Sequence, residues 1–165
     1  MKLFNAFFIT EGIISWKNIH SNLYSIHTGV KTQSEAVKTC KGLGGKLFEP
    51  KSANVNKDVL IFARTKGIAI GKGIWIGIHD ITNEGKFIYE SDGKPITWKN
   101  WNKNEPNNYG KGEDCVHITN GLYGPAAGGL WNDLSCARKL AFVCEKSEKK
   151  SAKKSIGDSQ KYNTK

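Results

Sequence analysis

Four cysteines, Cys40, Cys115, Cys136 and Cys144, restrict this 165-residue chain more than any other feature. None forms a Cys-x-x-Cys pair and no histidine follows at zinc-finger spacing, so structural zinc does not fit. An even count predicts two disulfides and an oxidising, secreted or extracellular setting. Four cysteines allow three pairings, and spacing alone does not choose between them. The length suits one domain with a tail and can bury a core without a metal to fold it.

The formal charge of +10 is unevenly spread. From residue 146 to the end there are seven lysines against Glu148 and Asp158, so half of the excess sits there. That composition, with almost no apolar residue, predicts a disordered tail over 147–165. A solubilising end is the favoured reading; an acidic polymer or surface remains open as a partner, and no specific nucleic-acid site is marked. At the other end, Met1-Lys2 and the apolar run from Leu3 to Ile9 read as the start of an export signal. Glu11 and Gly12 cut that run short, so 1–20 is read as a weak or incomplete signal leading into strand material. No stretch approaches the ~18–20 apolar residues of a membrane span.

Between these ends the chain patterns as α+β. Thr32-Gln33-Ser34-Glu35 is a capping box, followed by Ala36, Val37, Cys40 and Leu43 on one helical face and stopped at Gly44-Gly45. A second helix starts near Ser52, with Val55, Val59, Leu60, Phe62 and Ala63 as its apolar stripe, and ends before Gly67. Ile74 to Ile78 reads as a buried strand, Phe87–Tyr89 and Ile96–Trp98 as short strands around a Ser91-Asp92-Gly93 turn, and Cys115–Ile118 and Leu140–Cys144 as further strands. The long polar stretch from Trp98 to Asp114 contains Trp, Pro, Glu and Asn rather than lysine-rich low complexity, which predicts an ordered loop with a function.

Two clusters carry the chemistry: Glu105-Pro106-Asn107-Asn108 with Gly112-Glu113-Asp114-Cys115, and Trp131-Asn132-Asp133. They offer carboxylates and amides without histidine or free thiol, and oxygen-only donors on flexible loops suit Ca²⁺ better than Mg²⁺ or a transition metal. Glu105, Glu113 and Asp133 bring three charges, and Asn107 and Asn132 add neutral oxygens.

In this order, and with Phe142-Val143-Cys144-Glu145 and the Trp75-Ile76-Gly77 strand, the chain from about Leu23 to Glu145 resembles the C-type lectin family. The resemblance implies a lectin domain over 21–146, of two helices with antiparallel sheets and long calcium-binding loops. It implies the pairings Cys40–Cys144 and Cys115–Cys136. It implies a sugar-binding Ca²⁺ held by Glu105, Asn107, Glu113, Asn132 and Asp133, with a cis bond before Pro106. A Glu-Pro-Asn triplet accompanies mannose-type ligands in that family, here mannose, fucose, glucose or N-acetylglucosamine, whereas Gln-Pro-Asp accompanies galactose-type ligands. An auxiliary calcium would use Asp80 and Glu84 with Asn108, Glu113 and Asp114; Asn108 stands where Asp is more usual, which removes one charge. The stretch 119–129 is longer than in the serum mannose-binding proteins, so Tyr109 and Tyr123 are candidates to touch the sugar. Glycan or microbe recognition follows by analogy alone, and a homo-oligomer is left open as the route to avidity.

Trp75, Trp98, Trp101 and Trp131 are expected in the core or loop packing, and His20, His27, His79 and His117 lack ligand spacing. No G-x-S-x-G or phosphate loop occurs, and the paired carboxylates are accounted for by metal rather than glycoside hydrolysis, so no enzyme is expected. The competing reading is an interaction module for mineral, protein or acidic polymer, acting through its surface and basic tail.

Overall fold

The computed structural model describes residues 14–121 and 129–148. The expected export signal, most of the 119–129 stretch with Tyr123, and the tail beyond Glu148 lie outside these residues.

Strands β1 (Lys17–Ile19) and β2 (Asn22–Lys31) lead into helix α1 (Gln33–Gly42), a short β3 (Lys46–Leu47) and helix α2 (Ala53–Thr65). There follow β4 (Ile74–His79), β5 (Ile88–Tyr89), β6 (Cys115–Thr119), β7 (Leu130–Leu134) and β8 (Leu140–Ser147). The sheet runs β1-β2-β8-β4-β6-β7, with β3 on β8 and β5 on β4. The expectation of purely antiparallel sheets needs one correction: β4 lies parallel to β8, with Ile74 opposite Ala141 and Trp75 opposite Phe142. Parallel neighbours need a long crossover, and the chain between β4 and β8 contains β5, the long polar loop and the β6–β7 hairpin.

Both helices form where their caps and stripes place them. Thr32 Oγ1 accepts the Glu35 N–H at 3.3 Å, and the Glu35 carboxylate accepts the Thr32 N–H at 2.9 Å. Ala36 and Cys40 of α1 are fully buried. Gln33 docks the helix start on β4, donating from Nε2 to the carbonyls of Ile76 and Ile78 at 2.9 and 3.0 Å. Ser52 caps α2, whose buried side is Asn56, Val59, Leu60, Phe62 and Ala63.

The expected strand at Ile96–Trp98 does not form. Its contact with β5 is a single bridge between Ile88 and Pro95. Both bonds flanking that bridge are made, from the Tyr89 N–H to the Lys94 carbonyl at 2.9 Å and from the Ile96 N–H to the Phe87 carbonyl at 3.2 Å, and the ladder goes no further among the described residues.

Trp75, Trp131, Phe48 and Phe142 are buried at the centre of the core; burying a side chain such as Phe48 or Phe142 contributes ~1.5–3 kcal/mol. The disulfides are Cys40–Cys144 and Cys115–Cys136, the pairing the resemblance implies. The first ties α1 to β8 across 104 residues, and loop closure of that length is worth ~4–5 kcal/mol in the chain-entropy description.

Candidate metal centre

The long polar loop is ordered because β7 is an edge strand with unspent hydrogen-bonding groups. The Trp131 N–H donates to the Asn100 carbonyl at 2.7 Å, and the Asn102 N–H donates to the Trp131 carbonyl at 2.8 Å. Trp131 itself is 0% exposed, and both Trp98 and Trp101 meet it edge to face. Its indole N–H donates to Asn56 Oδ1 at 3.0 Å, and Asn56 Nδ2 donates to the Gly129 carbonyl at 2.9 Å. One α2 side chain thereby holds both the tryptophan and the start of its strand, with each such bond worth ~1 kcal/mol net.

Beyond this anchor the chain reverses at a cis Glu105–Pro106 bond, as the resemblance implies, and at Asn108, whose φ is 44°. Asparagine tolerates that left-handed backbone better than most residues. Asp133 receives the turn: its Oδ1 accepts the Asn107 N–H at 3.2 Å and its Oδ2 the Asn108 N–H at 2.7 Å. Glu113 Oε2 accepts the Tyr109 N–H at 3.1 Å, and the Glu113 N–H donates to Asn108 Oδ1 at 3.0 Å. Tyr109 is 81% exposed beside this turn.

The carboxylates of Glu105, Glu113 and Asp133 influence one another electrostatically. Burial pushes Glu105 up to about 7, helped by the adjacent carboxylate of Asp133 and by Glu113, against the Asn107 backbone N–H. Burial also raises Glu113, with Asp133 adding to it and the Tyr109 N–H opposing.

Asn132 takes a different direction. It pairs across the β6–β7 ladder with His117, and its Nδ2 lies 3.5 Å from His117 Nε2. Successive strand residues face opposite sides, so Asn132 and Asp133 straddle β7. The 105–108 turn meets Asp133 on one face of this last strand, whereas the polar contact of the Asn132 side chain is with His117 on the other. His117 is the neighbour that sequence reasoning does not find: the only signal is the β6–β7 register, which spacing does not reveal. Burial lowers His117 to about 4, so the ring is neutral at physiological pH.

The auxiliary residues also come together. Asp80 is 1% exposed; its Oδ2 accepts the Gly85 N–H at 2.7 Å, and its own N–H donates to the Asp114 carbonyl at 3.0 Å. Burial raises the Asp80 carboxyl, Gly85 opposes, and Glu84 and Asp114 add repulsion. Glu84 accepts from the Asn108 side-chain amide. Asn108 thus touches Asp133, Glu113 and Glu84 with three different polar groups.

These donors fit a calcium ion. Four buried side-chain oxygens lack a hydrogen-bond partner among the described residues: Asp80 Oδ1, Glu90 Oε2, Glu105 Oε2 and Asn132 Oδ1. All but Glu90 belong to the ligand sets expected from sequence. A buried polar atom without a partner costs ~1–3 kcal/mol, and a coordinated cation removes that cost. No three His, Cys, Asp or Glu side chains close on one point among the described residues. Two of the five cage donors are asparagines, and Asp133 and Glu113 are turned toward backbone N–H groups.

Known proteins resemble this chain in sequence and fold. The family model "Lectin C-type domain" matches residues 29–146. Collectin-11 of Danio rerio is 32% identical over 138 residues, 84% of this chain and 47% of its own length. The chain thus spans about half of that relative. The alpha-N-acetylgalactosamine-specific lectin of Patiria pectinifera is 34% identical over 80% of this chain and 78% of its own. The carbohydrate-recognition domain of cow CD23, solved with a GlcNAc2Man3 oligosaccharide, superposes with a TM-score of 0.65 at 30% identity, covering 81% of this chain and 93% of that one. The fold, the disulfide frame and the match over 29–146 lead to one conclusion: the chain belongs to the C-type lectin domain family.

Proposed function

We propose that this domain binds carbohydrate through Ca²⁺ held by Glu105, Asn107, Glu113, Asn132 and Asp133, and that it takes sugars of the mannose type. The observation that carries this reading is the pair of buried oxygens without a hydrogen-bond partner among the described residues, Glu105 Oε2 and Asn132 Oδ1, on residues that accompany Asp133 in the expected cage. The bound ion supplies positions at which two neighbouring sugar hydroxyls replace water. Carboxylates only accept hydrogen bonds, whereas asparagine amides donate. Glu105 and Glu113 accept the hydroxyl protons, and Asn107 and Asn132 donate to the remaining lone pairs.

The relatives named above do not agree on one sugar: one is called N-acetylgalactosamine-specific, and another was solved with a mannose-containing oligosaccharide. The preference is therefore argued from the order of Glu105 and Asn107 around Pro106. Asp80, Glu84, Asn108, Glu113 and Asp114 hold the auxiliary Ca²⁺ in this reading, and Tyr109 touches the sugar. The domain, taken as 21–146, works as a binding module rather than an enzyme, in a secreted or extracellular setting that keeps both disulfides oxidised. No helix among the described residues is long and apolar enough to cross a membrane.

A site this small binds monosaccharide at around millimolar, or about −4 kcal/mol, so avidity comes from several copies. Retention on mannose-agarose in Ca²⁺ and release by EDTA, followed on a glycan array, test the reading. Equal retention with and without EDTA excludes it.

A further inference from the structure

The face of β7 opposite Asp133 opens on a second feature, a groove of about 690 Å³ bounded by β2, β6, β7, β8 and the 67–73 segment. That volume is typical of sites for small organic molecules. Its floor is apolar, formed by Ile68, Leu134, Leu140 and Ala141. Lys72, Arg138 and Lys139 stand along it, and no aspartate or glutamate lines it among the described residues. None of these three cations is in an ion pair among the described residues. Val30, which also lines the groove, is 59% exposed.

The walls are built rather than loose. Asn120, fully buried, donates from Nδ2 to the carbonyls of Ile68 and Ala69 at 3.2 and 2.8 Å, and its backbone carbonyl accepts the Gly71 N–H at 2.8 Å. Gly67 and Gly71 supply the positive φ values, 91° and 86°, that let the segment turn. At Gly73 a Cβ would stand 2.6 Å from His117 Nδ1 and 3.0 Å from Leu140 Cδ1, so a side chain there would collide with the groove.

We propose that this groove binds an amphipathic organic anion, an aliphatic or aromatic body carrying one carboxylate or sulfonate. A small inorganic anion would leave the apolar floor in water. A neutral hydrocarbon would leave Lys72 and Arg138 without an anion among the described residues, and Lys139 with only the field of Glu35, whereas an amphipathic anion answers the cations and the apolar floor together. The cage contributes only Asn132 to the lining, and binding here requires no metal.

Fluorescence titration of the full chain with 8-anilinonaphthalene-1-sulfonate in EDTA tests this, with dodecanoate and dodecanol as competitors. Expected are saturable binding and displacement by dodecanoate at concentrations where dodecanol has little effect. Arg138→Ala with Lys139→Ala weakens binding about tenfold. Val30→Asp, at an exposed position that tolerates the change, weakens it similarly by setting a carboxylate beside the anion. Equal binding by wild type and both variants overturns the proposal and assigns the probe to another surface such as the lysine tail; displacement by dodecanol as effective as by dodecanoate also overturns it. Because EDTA is present throughout, the outcome does not depend on the calcium reading.

Discussion

Asp133 accepts the backbone N–H of Asn108 at 2.7 Å, and this bond joins the two expected calcium sites. The Asn108 amide donates to Glu84 of the auxiliary set, while its carbonyl oxygen accepts the N–H of Glu113. Asn108 is therefore the residue in contact with both expected ligand sets. The carboxylates on each side raise one another's pKa, and a bound cation would offset that repulsion.

Asn108→Asp tests this arrangement. Aspartate tolerates the same left-handed backbone, but it replaces a donor to Glu84 with a second carboxylate. In EDTA the variant loses about 1 kcal/mol, seen by calorimetry as a melting temperature lower by roughly 2–4 °C. In Ca²⁺ the added charge tightens one equivalent of metal about tenfold by titration calorimetry. An unchanged calcium isotherm would remove Asn108 from the ligand set.

Exchanging the acceptor and the amide around Pro106, by Glu105→Gln with Asn107→Asp, reverses the donor pattern offered to a hydroxyl pair. Retention on mannose-agarose is expected to fall and retention on galactose-agarose to rise, with calcium still required. A variant that binds calcium as before yet keeps its mannose preference would show that the triplet does not set the sugar.

Glu145 gives a pH dependence away from the cage. Burial raises its carboxyl to about 7, Glu49 adds to the rise, and Lys46 opposes it. The unfolded chain releases this proton near 4.5, so between about 4.5 and about 7 the native state binds more protons than the unfolded one. The contribution of Glu145 to stability therefore falls as pH rises through that window and is level above it. Glu145→Gln removes this dependence, so urea curves in EDTA should show the variant gaining on wild type from pH 5 to pH 8. A constant difference between the two proteins would contradict the assignment.

Lys46 is the cation that makes this buried cluster tenable. Its ammonium pairs with Glu49 and lies 3.4 Å from Glu145 Oε1, while Ser91 donates to Glu49 from its N–H at 2.8 Å and its hydroxyl at 2.9 Å. Lys46→Met leaves two buried carboxylates without a cation and costs about 3 kcal/mol by urea denaturation at pH 8, near the low end for a broken buried pair because Lys46 still reaches water. Adding Glu49→Gln should recover part of the loss. If Lys46→Met denatures with the wild-type midpoint, the cluster contributes nothing.

Much of the fold was legible because its signals are local. The capping box at Thr32 and Glu35, the cap at Ser52, the stripe of α2 and the apolar run of β4 each sit within a few residues. Strand β7 is short and carries two ligand-type residues in five, so no alternation of apolar residues announces it. The strand expected at Ile96 ends after one bridge because its partner β5 is only two residues long, and local β-propensity cannot build a ladder without a partner.

By itself the sequence determined the helices, the family, and the order of the Glu105, Asn107, Glu113, Asn132 and Asp133 donors, because caps, periodicity and motif order are properties of neighbouring residues. Only the tertiary structure decided that Asn132 and Asp133 leave an edge strand on opposite faces, that Asn108 joins two carboxylate clusters, and that Lys72, Arg138 and Lys139 share an apolar groove. Those relations depend on the register of β6 on β7, on one parallel pairing of β4 with β8, and on loops pinned by Trp131 and Asn120. The energies that select them come from contacts between segments tens of residues apart, and no local pattern encodes such contacts.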